Sequence, residues 1–146
     1  MQQLLATVAL LGGLNEPALK LLTREARRVT ASAGAEILKE GDPGHHLFLI
    51  ESGSVRICKK YGQPGETELC RLGPGDFFGE MCILETLPRS ATVQAESDVV
   101  LYRISSIAFY HLHQQLPEQF CLLVLNIARD LSRRLRRLDE IFAARH

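Results

Sequence analysis

A chain of 146 residues can bury one hydrophobic core, and an apolar fraction of 46% suits a folded domain rather than a disordered segment. Seventeen basic residues offset seventeen acidic ones, so no overall field directs the chain toward nucleic acid or an anionic membrane. Four widely spaced cysteines (Cys58, Cys70, Cys82 and Cys121) supply neither a disulfide framework nor a metal-binding pair, which fits mostly buried thiols in a reducing cytoplasm.

The apolar run from Leu4 to Leu14 lacks a charged leader and is too short to cross a bilayer, so a packed N-terminal helix is expected there. Asn15-Glu16-Pro17 has the form of a cap followed by proline in the first turn. It predicts a helix to about Arg24, with Leu19, Leu21 and Leu22 on its apolar side. From Arg27 the pattern changes to short, branched or aromatic runs punctuated by glycine. Strands are expected at 29–31, 36–39, 47–51, 54–60, 66–72, 92–95 and 99–104. Such spacing describes a mainly β fold, an antiparallel β-roll or jelly-roll barrel, rather than a parallel α/β sheet.

After Ile104 the period becomes helical. Ser105 can cap a helix carrying Ile107, Phe109, Tyr110 and Leu112, and Pro117 starts the next one. Residues 118–144 contain no glycine or proline and carry an apolar stripe through Phe120, Val124, Ile127, Leu131, Leu138 and Ile141. A second line through Leu131, Leu135, Leu138 and Phe142 overlaps it. One line suits the barrel and the other a sister helix, so a homodimer is expected. The expected organisation is one domain: helices over 1–26, the β-roll over 27–104, and C-terminal helices over 105–144.

The densest chemistry lies at 78–92, Phe-Gly-Glu-Met-Cys-Ile-Leu-Glu-Thr-Leu-Pro-Arg-Ser-Ala-Thr. Glu80 and Arg89 stand nine residues apart across a short apolar turn. Arginine offers a planar fork that matches phosphate oxygens. The hydroxyl of Ser90, peptide N–H groups around Ser90 and Ala91, and the start of a short helix over 80–84 could complete an anion site. Glu80 would repel a phosphate, and is useful if it accepts from a sugar hydroxyl instead. One arginine and one carboxylate suit a single phosphodiester; a triphosphate would need more positive charge or a metal. From chemistry alone a plain Glu80–Arg89 salt bridge stays equally open.

This segment resembles the phosphate-binding cassette of the cyclic nucleotide-binding domain family, whose pattern is close to Phe-Gly-Glu-Leu-…-Pro-Arg-(Ala/Ser/Thr)-Ala-Thr. The likeness extends through Glu40-Gly41-Asp42, Leu47-Phe48-Leu49-Ile50-Glu51-Ser52-Gly53-Ser54-Val55 and Leu72-Gly73-Pro74-Gly75-Asp76. It implies that Glu80 binds the ribose 2′-hydroxyl, that Arg89 pairs with the cyclic phosphate, and that Ser90 and Ala91 add donors. Gly79, Met81 and Cys82 are expected beside the ligand. Bacterial regulators of this family reach the base with hydroxyl residues on the long helix, and the matching positions here are near Leu138 and Asp139. The base contact is therefore assigned to Arg136, or to Arg137 beside it, as in some channel-type relatives.

The resemblance implies a non-catalytic sensor of a cyclic mononucleotide, cAMP ahead of cGMP, that signals through movement of the C-terminal helix. The alternatives are a dimerisation or scaffold domain without nucleotide binding, and a binder of another cyclic phosphate such as a cyclic dinucleotide. Regulators of this family continue into a helix-turn-helix domain, whereas this sequence stops at His146. Direct contact with nucleic acid is thus not expected, and the effector is expected in another chain or a larger parent. No membrane segment, metal or cofactor is expected. His111 and His113 are only two positions apart and diverge on a helix, and no histidine accompanies Cys82 in sequence to activate it, so catalysis is not expected either.

Overall fold

The computed structural model describes residues 8–84 and 88–145. A 3₁₀ turn, Ala9–Leu11, precedes helix α1, Glu16–Glu25. Eight strands follow: β1 Arg27–Ala31, β2 Glu36–Leu38, β3 His46–Ser52, β4 Val55–Lys59, β5 Thr67–Leu72, β6 Phe77–Phe78, β7 Thr92–Ala95 and β8 Val99–Ser105. The short helix α2, Met81–Leu84, lies between β6 and β7, and helices α3, Ser106–Gln115, and α4, Pro117–Arg145, close the described chain.

The strands form two antiparallel four-stranded sheets, ordered β1-β8-β3-β6 and β2-β7-β4-β5. This is the β-roll with flanking helices that the glycine-punctuated runs imply. Both faces of β3 are buried. Leu47 and Leu49 face the helices, packing with Leu22, Phe109, Leu112, Leu123 and Ile127. Phe48 and Ile50 turn between the sheets onto Val55, Phe78, Val93 and Leu101, with the Phe48 and Phe78 rings stacked 5.0 Å apart. Period-two alternation divides one strand between two cores.

Three local expectations change. The described part of the N-terminal run is a 3₁₀ turn and not an α-helix: Gly12 and Gly13 follow Leu11 at once, and Gly13 has φ +82°. Its leucines are still buried. Strand β6 follows directly on the Gly73-Pro74-Gly75-Asp76 turn and was not expected; two phenylalanines suffice because they pair with Phe48 and Leu49 of β3. Strand β1 starts at Arg27, since pairing with β8 supplies what its exposed arginines do not.

The helices obey their local signals. The Asn15 side chain accepts from Ala18 N at 3.1 Å, and Ser105 accepts from Ala108 N at 3.3 Å. Helix α4 buries Leu123 and Ile127 in its first half. Asn126 of α4 donates to the carbonyls of Leu10 and Gly12 at 2.8 and 2.9 Å, tying α4 to the N-terminal turn. The second half leaves the core, so that Leu135, Leu138, Ile141 and Phe142 are exposed.

Candidate nucleotide-binding site

Strand β6 and helix α2 deliver Gly79 and Glu80 to one side of a cleft, and the chain entering β7 delivers Arg89, Ser90 and Ala91 to the other. Glycine at 79 is required twice. Its φ is +81°, and a Cβ there would lie 2.8 Å from His46 O and 2.9 Å from Arg89 Nη1. Gly44 is required by space alone: a Cβ would meet Arg89 Nε at 2.0 Å and Cζ at 2.2 Å.

Arg89 is held from three sides. Its Nη1 donates to Gly79 O at 3.2 Å, its Nη2 donates to His46 O at 2.8 Å, and the flat face of Gly44 lies against the guanidinium. Two backbone bonds fix the strand around it, from Arg89 N to Asp42 O at 2.7 Å and from Gly41 N to Arg89 O at 2.8 Å.

Glu80 is 6% exposed. Its ion partner among the described residues is Arg134 of α4, with Nη1 3.6 Å from Oε1. Arg134 also donates from Nη2 to Phe77 O at 2.8 Å, meets Asp130 Oδ2 through Nε at 2.7 Å, and places its Cζ 5.0 Å from the centre of the Phe77 ring. One side chain thereby joins the long helix to β6 and to the site carboxylate.

A cleft of about 420 Å³ opens between these groups. Gly79, Glu80, Met81, Arg89, Ser90 and Ala91 all line it. Its far wall is apolar, from Leu38, Ile57, Leu69 and Cys70, and α4 closes the top with Arg134, Arg137, Leu138 and Ile141. Burial pushes the Cys70 thiol above its ordinary range, against the opposing pull of Arg134 and Arg137, so the thiol stays neutral and adds to the apolar wall. The side chain of Cys82, and residues 85–87 of the cassette, lie outside the described residues.

Arg136 is corrected by this geometry. It is exposed and does not line the cleft, whereas Arg137 does. Positions 134, 137, 138 and 141 recur at helical steps and share one face, while 136 is about half a turn from 134. Sequence reasoning also passed over Arg134 and Gly44. Arg134 shares its three-and-four spacing with Leu138 and Ile141, which was the available signal, but the basic run around it masked that spacing. Gly44 looked like an ordinary turn glycine. The histidines weighed as catalytic have structural neighbours: His111 Nδ1 lies 2.9 Å from Glu25 Oε1, and His113 sits edge-on to Phe120.

The family model described as Cyclic nucleotide-binding domain matches residues 28–116. The chain belongs to this family. A cyclic nucleotide-gated potassium channel from Mesorhizobium japonicum is 40% identical over 116 residues, 80% of this chain and 31% of the channel. A CRP-like cAMP-activated global transcriptional regulator from Mycobacterium tuberculosis is 29% identical over 143 residues, 98% of this chain and 62% of the regulator. The chain thus spans less than two thirds of either relative. A solved cyclic nucleotide-binding domain from Methylobacillus flagellatus shares the fold with a TM-score of 0.85 at 24% identity, covering 99% of this chain and 81% of that one. No helix among the described residues is long and apolar enough to cross a membrane.

Proposed function

We propose that this cyclic nucleotide-binding domain is a non-catalytic sensor of cAMP. The observation that carries this reading is the placement of Arg89 and Glu80 in one cleft with separate partners. Arg89 is aimed by the carbonyls of Gly79 and His46, and Glu80 is buried against Arg134. Arg89 takes the cyclic phosphate with help from Ser90 and Ala91, and Glu80 accepts from the ribose hydroxyl. Met81 and Gly79 flank the sugar. The purine lies against Leu38, Ile57, Leu69 and Cys70, under Arg137 and Leu138 of α4. Preference for cAMP is supported by the relative whose name marks it as cAMP-activated.

Signalling runs through α4. Glu80 touches both the ribose and, through Arg134, the long helix, so a ligand that moves the cassette changes what the helix packs on. The exposed Leu135, Leu138, Ile141 and Phe142 suit a second copy of the same helix, making the active form a homodimer. The effector is another chain or a further domain.

Calorimetry with cAMP and cGMP on the wild type and Arg89→Gln tests the reading. Losing a desolvated charge contact is expected to cost about 2–5 kcal/mol of binding, or roughly 30-fold to several-thousand-fold in affinity. Equal affinity in the two proteins removes Arg89 from its role. No binding of either nucleotide to the folded wild type favours the scaffold reading instead.

A further inference from the structure

A group of cations that the nucleotide cleft leaves unused gathers beside the start of β3, around His46. A concavity of about 670 Å³ is lined there by Arg24, Arg27, Arg103, His46, His111 and Glu25, among others. The arginines come from different elements: Arg24 from the last turn of α1, Arg27 from the start of β1, and Arg103 from β8. Strand register sets Arg27 directly opposite Arg103. Like charges directly opposite on paired antiparallel strands destabilise the pair.

The usual remedy, a carboxylate between them, is missing. Among the described residues none of these three arginines forms an ion pair. Glu25, which lines the same concavity, is engaged by His111 Nδ1 at 2.9 Å. Arg27 is oriented by one nitrogen only, Nη1, which donates to the carbonyls of Arg24 and Ala26 at 3.0 Å each. Three guanidinium charges less one carboxylate leave a net of two positive charges before either histidine is counted. The His46 imidazole feels this field. Burial first, then Arg103, Arg89 and His45, hold its pKa below 6.5.

We propose that this concavity is a second ligand site, for a compact phosphate-class anion carrying at least two negative charges. Tetrahedral phosphate oxygens can accept from two guanidinium forks at once, and a dianion matches the local charge. The arginines line one concavity from three separate elements, which favours a small anion over an acidic protein surface. The two sites share one residue: the His46 ring lines this concavity, while its carbonyl accepts from Arg89.

Titration of the full chain with inorganic pyrophosphate, followed by NMR at the His46 and His111 rings, tests the site. Saturable shifts are expected, with the His46 pKa rising as an anion offsets Arg103. Binding should persist in Arg89→Gln and weaken by about tenfold or more in Arg103→Gln and Arg27→Gln. If Arg89→Gln fails to fold, wild type with its cleft pre-filled by cAMP takes its place. Three results overturn the proposal. The first is no saturable response up to about 10 mM. The second is a response abolished by Arg89→Gln or by cAMP yet kept in Arg103→Gln. The third is tighter binding of a poly-glutamate hexapeptide than of pyrophosphate, which makes the patch a protein-docking surface.

Discussion

Replacing Arg134 with methionine isolates the link between the long helix and the site. The change removes a charge-assisted bond to Phe77 O at 2.8 Å and leaves Glu80, with a side chain 8% exposed, without its cation. A hydrogen bond to a charged group contributes about 1.5–3 kcal/mol, and an unpaired buried carboxylate adds to the loss. Two features reduce the total. The Glu80 contact is long at 3.6 Å, and a methionine stem still covers the Phe77 ring. The Asp130 contact is an i,i+4 pair within α4 worth only about 0.3–0.5 kcal/mol. The net loss is about 2–3 kcal/mol, which for a chain of this size lowers Tm by roughly 5–10 °C. Thermal denaturation of Arg134→Met, Glu80→Gln and the double variant reads it directly. Because Glu80→Gln removes the charge that Arg134→Met strands, the double variant should lose about 1 kcal/mol less than the sum of the singles. Additivity within about 0.5 kcal/mol would refute the link.

Gly44→Ala should mimic the loss of Arg89 without unfolding the chain: the added Cβ displaces only the guanidinium, so cAMP affinity falls at least about tenfold while Tm moves by less than about 3 °C. Unchanged affinity by calorimetry would show that Arg89 can bind from another position. Stability should also fall on acidification through His46. Its folded pKa lies below the unfolded 6.5, so the unfolded chain holds more protons in that window. The His46 contribution is therefore complete above pH 6.5 and declines as pH drops toward the folded value. Comparing Tm at about pH 7.5 and about pH 5, the fall in His46→Gln should be smaller than in the wild type; equal falls would acquit His46. Leu135→Glu should shift the protein to monomer in sedimentation at low micromolar concentration, because a buried charge at a helix seam is costly. A wild type that is monomeric at every concentration tested removes the dimer.

Local rules made most of the elements legible. A cap at Asn15, proline at 117, glycine-bearing turns and alternating apolar runs each act over a few residues, so the β-roll and its helices could be read without contacts. The interval from Glu80 to Arg89 was legible for the same reason, since the two residues stand only nine positions apart in the sequence. What each of them touches was not legible. Strand β6 exists because β3 offers it a ladder, and the first described turn stays 3₁₀ because two glycines follow it.

The choice of Arg137 over Arg136 and the use of Arg134 as the partner of Glu80 depend on how α4 is rotated against the sheets. That rotation is set by Leu123, Ile127 and Asn126, well away from the site. The Arg27–Arg103 opposition likewise exists only through register between strands more than seventy residues apart in the chain. Sequence determined the local conformations and the chemical types available. Tertiary packing decided which of those groups meet, because burial and long-range pairing select one orientation among several that local preference leaves nearly equal.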